Sequence, residues 1–220
     1  LLDWNVNLAA NDSVIVAGRL PVRGAFAVYD WEGRQIASDV WSGGGPGEFS
    51  FPRPALGPGD SIWIFDTGNQ RVSVLEPGGN AVSRAFPLRG EISQVMLADS
   101  RLVVVAGTLL PQGVTKEEVD TGVWPYLHVL DRTGLVVTSF LPRGSGMVGS
   151  RVVASAGDRI WVAKMHRPTL EEWSLSGERV RVIDRDLDWF EPWDTVGEGV
   201  LEGLRFRPRI AGLGVDADGR

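Results

Sequence analysis

Three features of this 220-residue chain predict an all-β fold made of repeated four-stranded antiparallel units. A short turn followed by a strand rich in β-branched and aromatic residues recurs along the chain. Each of these strands leads to a second hairpin with a turn of fixed composition. The 28 Gly and 13 Pro are too many for a helical protein and too dispersed for a low-complexity one, so they mark many tight turns.

In chain order, the first signal reads Asn11-Asp12 then SVIVA, Gly59-Asp60 then SIWIF, Asp99-Ser100 then RLVVVA, and Gly157-Asp158 then RIWVA. A fifth copy begins at Asp216 and reaches Arg220. The strands that follow read AFAVYD, RVSVLE, YLHVLD and LEEWSL, and they end in the turns Asp30 to Gly33, Glu76 to Gly79, Asp131 to Gly134 and Ser174 to Gly177. Asp or Ser first and Gly last is type I turn chemistry, because the short side chain bonds the backbone and Gly relieves crowding. An outer strand follows each turn: QIASDV, AVSRAF, LVVTSF and RVRVID. One more apolar segment precedes each first turn: Trp4 to Ala9, Ala55-Leu56, Ile92 to Leu97, Val152 to Ala156 and Ile210 to Val215.

Labelled A to D from the inside, four strands in roughly 40 to 60 residues make one blade of a β-propeller. The expected organisation is a single domain over 1-220, with blades at about 3-40, 53-87, 92-141 and 151-187 and the start of the next at 209-220. All-β domains of this length commonly stay undivided.

The most complete unit is Trp41 to Leu75. Gly45-Pro46-Gly47-Glu48-Phe49, then Pro52, the strand Ile62 to Asp66, and Asn69, Arg71 and Val72 resemble an NHL-type repeat of the six-bladed propellers. The resemblance covers residues 43 to 75; the other blades keep the turns but lack the Asn-x-Arg-Val signature. It implies a propeller, often extracytoplasmic in bacteria, that binds proteins, peptides, glycans or RNA and occasionally catalyses. Six blades need more chain than this, so the sequence reads as lacking one or two, with a closed four-blade ring as the alternative. A periplasmic or secreted location is favoured.

A net charge of −6 argues against nucleic acid or an anionic membrane as the main partner, although a local basic face remains compatible with it. Without Cys there is no disulfide framework and no thiolate chemistry. No apolar run has the length of a transmembrane helix.

In a propeller the B-C and D-A connections share one face, and the A-B and C-D turns share the other. The second set reads as short throughout and the first as long and irregular, notably Gly107 to Trp124 and Asp188 to Pro208. Long loops on a rigid scaffold usually carry function, which makes Arg71, Trp124, Arg143, Arg167 and Arg207 the candidate binding residues. Arg71 has two readings: a donor at the channel mouth for a carboxylate or phosphate, or the partner of a neighbouring acid while Asp66 and Asn69 bond turn backbone.

Other motifs are weaker. Gly43 to Gly47 lacks the Lys-Ser or Lys-Thr of a P-loop and reads as a blade-to-blade crossing. Asp184-x-Asp186-x-Asp188 continues into Trp189 and Thr195 where an EF-hand needs Gly and Glu. Gly144-Ser145-Gly146 is no nucleophile elbow. His128 reads as packed and hydrogen-bonded in a strand, His166 as the better functional histidine, and Trp63 and Trp161 as inter-blade core. Trp189 and Trp193 are read equally as packing or as ligand contacts.

The leading functional expectation is a binding module whose protein, peptide or glycan ligand meets the long-loop face, with no required cofactor. The alternative is a metal-assisted hydrolase or lyase with a divalent ion such as Ca in the channel, drawing on Glu48, Asn69 and His166. A third reading, a structural module of a cell-envelope assembly, would show an exposed apolar patch on that face.

Overall fold

The computed structural model of the chain describes residues 7–20, 24–39, 43–76, 82–99, 102–110, 124–142, 151–164 and 167–188. The first sheet holds β1 (Asn7–Ala10), β2 (Ile15–Leu20), β3 (Gly24–Tyr29) and β4 (Gln35–Asp39). The second holds β5 (Pro52–Leu56), β6 (Ile62–Asp66), β7 (Arg71–Leu75) and β8 (Val82–Pro87). The third holds β9 (Gly90–Ala98), β10 (Leu102–Leu109), β11 (Pro125–Asp131) and β12 (Val136–Pro142), and the fourth β13 (Arg151–Ala156), β14 (Arg159–Lys164), β15 (Thr169–Ser174) and β16 (Arg179–Asp184).

Each sheet is an antiparallel meander in chain order, and the inner strands β1, β5, β9 and β13 lie side by side as an arc. Four blades are therefore arranged as a propeller. The fifth inner segment and its turn, 210–220, lie outside the described residues.

The second strands β6 and β10 read as nearly unbroken apolar runs because they are buried on both faces. Side chains alternate across a strand, so each sheet feeds two interfaces. Ile62 and Ile64 of β6 pack with Val16, Phe26, Val28 and Phe49 against blade 1, while Trp63 and Phe65 pack with Val72, Val103, Val105 and Leu130 against blade 3. Val104 and Ala106 of β10 turn the other way, onto Leu127, Val153, Ile160 and Val162. Trp63 is fully buried, as expected of an inter-blade residue. Trp161 is also buried, with the Arg181 guanidinium 5.2 Å from its ring centroid.

Hydrogen bonds staple the inner strands together. The backbone N–H of Val153 donates to Gln94 Oε1 at 2.9 Å, Ser155 Oγ donates to the Leu97 carbonyl at 2.8 Å, and Arg53 Nη1 donates to the Ser93 carbonyl at 3.0 Å.

The C-D turns behave as their composition requires. In those starting at Asp30, Asp131 and Ser174 the fourth residue donates its N–H back to the first carbonyl, at 3.0, 3.0 and 3.1 Å. Gly33, Gly134 and Gly177 have φ of 80°, 87° and 87°, and a register shift follows each turn, so Gly supplies the left-handed residue of a bulged hairpin. The Glu76 to Gly79 turn falls largely outside the described residues.

Two expectations need correction. The inner strand of blade 2 begins at Pro52, three residues before the predicted Ala55, because an innermost strand is an edge and tolerates proline. Loop lengths are also uneven on the B-C and D-A face. Blade 2 closes its B-C connection with residues 67–70, and only Leu88 and Arg89 separate β8 from β9. Long connections therefore do not surround the whole ring.

His128 lies in β11, 3% exposed, with Nδ1 at 2.8 Å from Ser139 Oγ and Nε2 accepting the Leu109 N–H at 3.3 Å. Burial, opposed by backbone hydrogen bonds at Gly107 and Pro125, pushes its pKa down from 6.5 to about 4. The unfolded imidazole takes a proton that the folded one refuses, so this contribution to stability is complete above pH 6.5 and is lost as pH falls toward 4. The loss should reach about 3 kcal/mol, read as falling urea midpoints between pH 7.5 and 4, and His128→Gln should flatten that slope. An unchanged slope in the variant would assign the acid limb to other groups.

Candidate functional site

The connection from blade 1 to blade 2 is held by the tight B-C turn of blade 2. Asp66, 1% exposed at the end of β6, accepts the Ser50 N–H at 2.9 Å and the Asn69 N–H at 3.3 Å through Oδ1. Its Oδ2 accepts Asn69 Nδ2 at 2.6 Å and lies 3.8 Å from Arg71 Nε. Asn69 Nδ2 also donates to the Gly43 carbonyl at 2.7 Å. Arg71 Nη2 donates to the carbonyls of Gly45, at 2.8 Å, and Glu48. The Gly68 N–H donates to the Ser50 carbonyl at 2.8 Å, and Thr67 Oγ1 to the Phe51 carbonyl at 3.2 Å.

The glycine run wraps the Glu48 carboxylate, whose Oε2 accepts the Gly45 N–H at 2.7 Å. A Cβ on Gly43 would sit 2.1 Å from that oxygen, so a larger residue there would displace the Glu48 carboxylate from the loop. Of the two readings of Arg71, this geometry has the turn residues bonding backbone and the arginine bracing the loop.

The clasp ends in an unusual residue. Phe51 has φ 62°, a left-handed conformation that a bulky side chain rarely adopts, and the residue is 62% exposed. Bonds to the Ser50 and Phe51 backbone on either side hold this geometry. Asp60, Gln70, Asp99 and Leu141 also have positive φ, and Phe51 is the aromatic residue among them.

Polar side chains also meet across blades 3 and 4. Ser93 Oγ lies 2.8 Å from the Tyr126 hydroxyl, and the Arg151 guanidinium lies 5.3 Å from the Tyr126 ring centroid. Lys164 Nζ is 3.7 Å from Glu171 Oε1, whose partner oxygen accepts Trp173 Nε1 at 3.1 Å. Arg151 Nη1 is buried without an acceptor among the described residues. Burial lowers the pKa of this guanidinium, with Tyr126 and Glu171 opposing. An acceptor oxygen would relieve that donor.

The predicted contacts distribute as follows. Arg71 is half-buried in the clasp, Trp124 is half-buried just before β11, and Arg167 is exposed just before β15. These three sit at the B-C ends of blades 2, 3 and 4. Arg143, Arg207, His166, Trp189 and Trp193 lie outside the described residues. Asp184 accepts Thr169 Oγ1 at 2.9 Å, which joins the ends of β15 and β16. Among the described residues no three His, Asp or Glu side chains converge as metal ligands.

No family model and no curated protein sequence matches the chain. Solved structures do. They include an exported protein of Bacteroides fragilis, with TM-score 0.56 and 13% identity, covering 83% of this chain and 53% of that one. A DUF4221 family member from Bacteroides vulgatus has TM-score 0.59 and 13% identity, over 96% of this chain and 67% of that one. Virginiamycin B lyase from Staphylococcus aureus has TM-score 0.55 and 15% identity, over 85% and 58%.

The fold is a β-propeller. At such identities the likeness concerns the fold alone, and the chain spans little more than half the length of the first and third of these proteins. No helix among the described residues is long and apolar enough to cross a membrane.

Sequence reasoning missed Phe51, Arg53 and Arg151. An aromatic immediately before a Pro-x-Pro inner strand was a usable signal for Phe51. Arg151 carried none, because its neighbours come from another blade.

Proposed function

We propose that this chain is a binding module of an NHL-like, six-bladed propeller whose site lies on the B-C and D-A face, with a protein, peptide or glycan as ligand in an extracytoplasmic setting. Phe51 is the observation that carries the reading: an exposed aromatic residue at positive φ, its backbone and that of Ser50 held by hydrogen bonds with Asp66, Thr67 and Gly68. Arg71, Trp124, Arg143, Arg167 and Arg207 are the proposed contacts. Arg71 acts through the loop it braces, whereas Arg167 is exposed just before the third strand of blade 4.

Glycine accepts φ 62° freely, so Phe51→Gly should leave the melting temperature unchanged or raised, the gain being at most about 1 kcal/mol. The same change should weaken the best ligands from peptide and glycan arrays at least tenfold, as should Arg167→Ala. Ligands that bind both variants like the parent protein would overturn the assignment of this face.

A further inference from the structure

The opposite face, where the A-B and C-D turns lie, carries a second feature. A groove of about 760 Å³ opens between blades 2 and 3, lined by Pro58, Gly59, Ser61, Val74, Ser83, Arg84 and Arg132. That volume is within the usual range for small-molecule sites. Among the described residues its walls contain two guanidinium groups and no carboxylate, in a protein of net charge −6.

The cations differ in their restraint. Arg84 is fixed, with its guanidinium 5.6 Å from the Trp63 ring centroid and Nη2 donating to the Arg132 carbonyl. The Arg132 side chain makes no ion pair or hydrogen bond among the described residues, and it projects from an exposed turn. The acids next in sequence to Arg132 and Gly59 each accept hydrogen bonds. Asp131 Oδ1 accepts the N–H groups of Thr133 and Leu135 at 2.8 and 3.1 Å, and Asp60 Oδ1 accepts Asn11 Nδ2 at 3.1 Å.

The groove hydroxyls are partly committed as well, since Ser61 Oγ donates to the Pro58 carbonyl at 2.8 Å and Ser83 Oγ to the Val74 carbonyl at 3.0 Å. Both hydroxyl protons are thus committed, and Ser61 Oγ also accepts Trp63 Nε1 at 3.1 Å, so the guanidiniums supply the open donors. Two planar donor groups contributed by neighbouring blades suit a tetrahedral dianion, which offers acceptor oxygens in both directions. Pro58 and Val74 offer apolar surface beside it.

We propose that this inter-blade groove binds a phosphate monoester of a small organic molecule, with the phosphate between Arg84 and Arg132 and the organic group over Pro58 and Val74. The site is separate from the B-C and D-A face and does not depend on the function assigned there.

Calorimetric titration of the full-length protein with phenyl phosphate, inorganic phosphate and benzoate tests it. Saturable binding is expected for phenyl phosphate, several-fold weaker binding for inorganic phosphate, and weaker binding still for benzoate. Arg132→Gln removes the cation but keeps the carbonyl that receives Arg84, so it should fold normally and bind phenyl phosphate at least tenfold more weakly. Arg84→Lys keeps the charge without the fork and should also weaken it. Absence of saturable phenyl phosphate binding, benzoate binding as tight as phenyl phosphate, or unchanged affinity in both variants would overturn the proposal.

Discussion

Asp66→Ala is expected to cost about 3–5 kcal/mol, because it leaves the half-buried Arg71 guanidinium and three donor groups without their carboxylate. For a domain of this size that is a fall in melting temperature on the order of 10 °C. Loss should be greatest in the glycine-rich connection, since Ser50 and, through Asn69, Gly43 are tied to this side chain. Limited proteolysis should then cut between Gly43 and Phe51 well before the variant unfolds globally.

Asp66→Asn separates charge from shape. It keeps an acceptor for the Ser50 and Asn69 N–H groups but presents an amide donor to Asn69 Nδ2 and no charge to Arg71. An intermediate loss is expected. If both variants keep the parent urea midpoint and the parent proteolysis pattern, the clasp does not hold the loop.

Trp63→Ala should be comparably damaging, at about 3–5 kcal/mol, because the ring fills the interface between blades 2 and 3 and is fully buried. The ring centroid lies 5.5 Å from that of Phe86 and 6.1 Å from that of Phe65, and Nε1 donates to Ser61 Oγ at 3.1 Å. The alanine variant would also free Arg84, whose guanidinium lies over the ring. Trp63→Phe keeps the apolar contact and should lose roughly a third to a half as much. Urea unfolding followed by far-ultraviolet circular dichroism measures both, and a Trp63→Ala loss below about 1 kcal/mol would show that the blades couple through other contacts.

Most of the fold was legible because propeller blades are local. Each hairpin turn lies within a few residues of the strands it joins, and the buried strands β6 and β10 write nearly uninterrupted apolar runs. Blade 2 was the exception at its inner strand, where Pro52 and Pro54 hid the pattern and a place at the sheet edge permits them. Gly18 is a related case: a Cβ there would lie 2.2 Å from Pro54 Cδ, a contact between blades that no local pattern announces.

The candidate site was legible in outline only. Its face follows from strand order, and Arg71 and Asn69 were visible as part of a motif. Their partners, the carbonyls of Gly43, Gly45 and Glu48, lie more than twenty residues earlier in the chain, so whether the arginine faces a ligand or braces a loop is a question of contact.

The sequence by itself determined the strand order, the turn chemistry and the inter-blade place of Trp63, because these depend on backbone preference and side-chain alternation between near neighbours. Tertiary structure alone decided which polar groups are satisfied. Phe51 became prominent through a clasp from another turn, Arg151 through a tyrosine of the preceding blade, and Arg84 with Arg132 through a groove between two sheets. Hydrogen bonding and charge act over a few ångströms of space, and folding brings distant parts of the chain within that range.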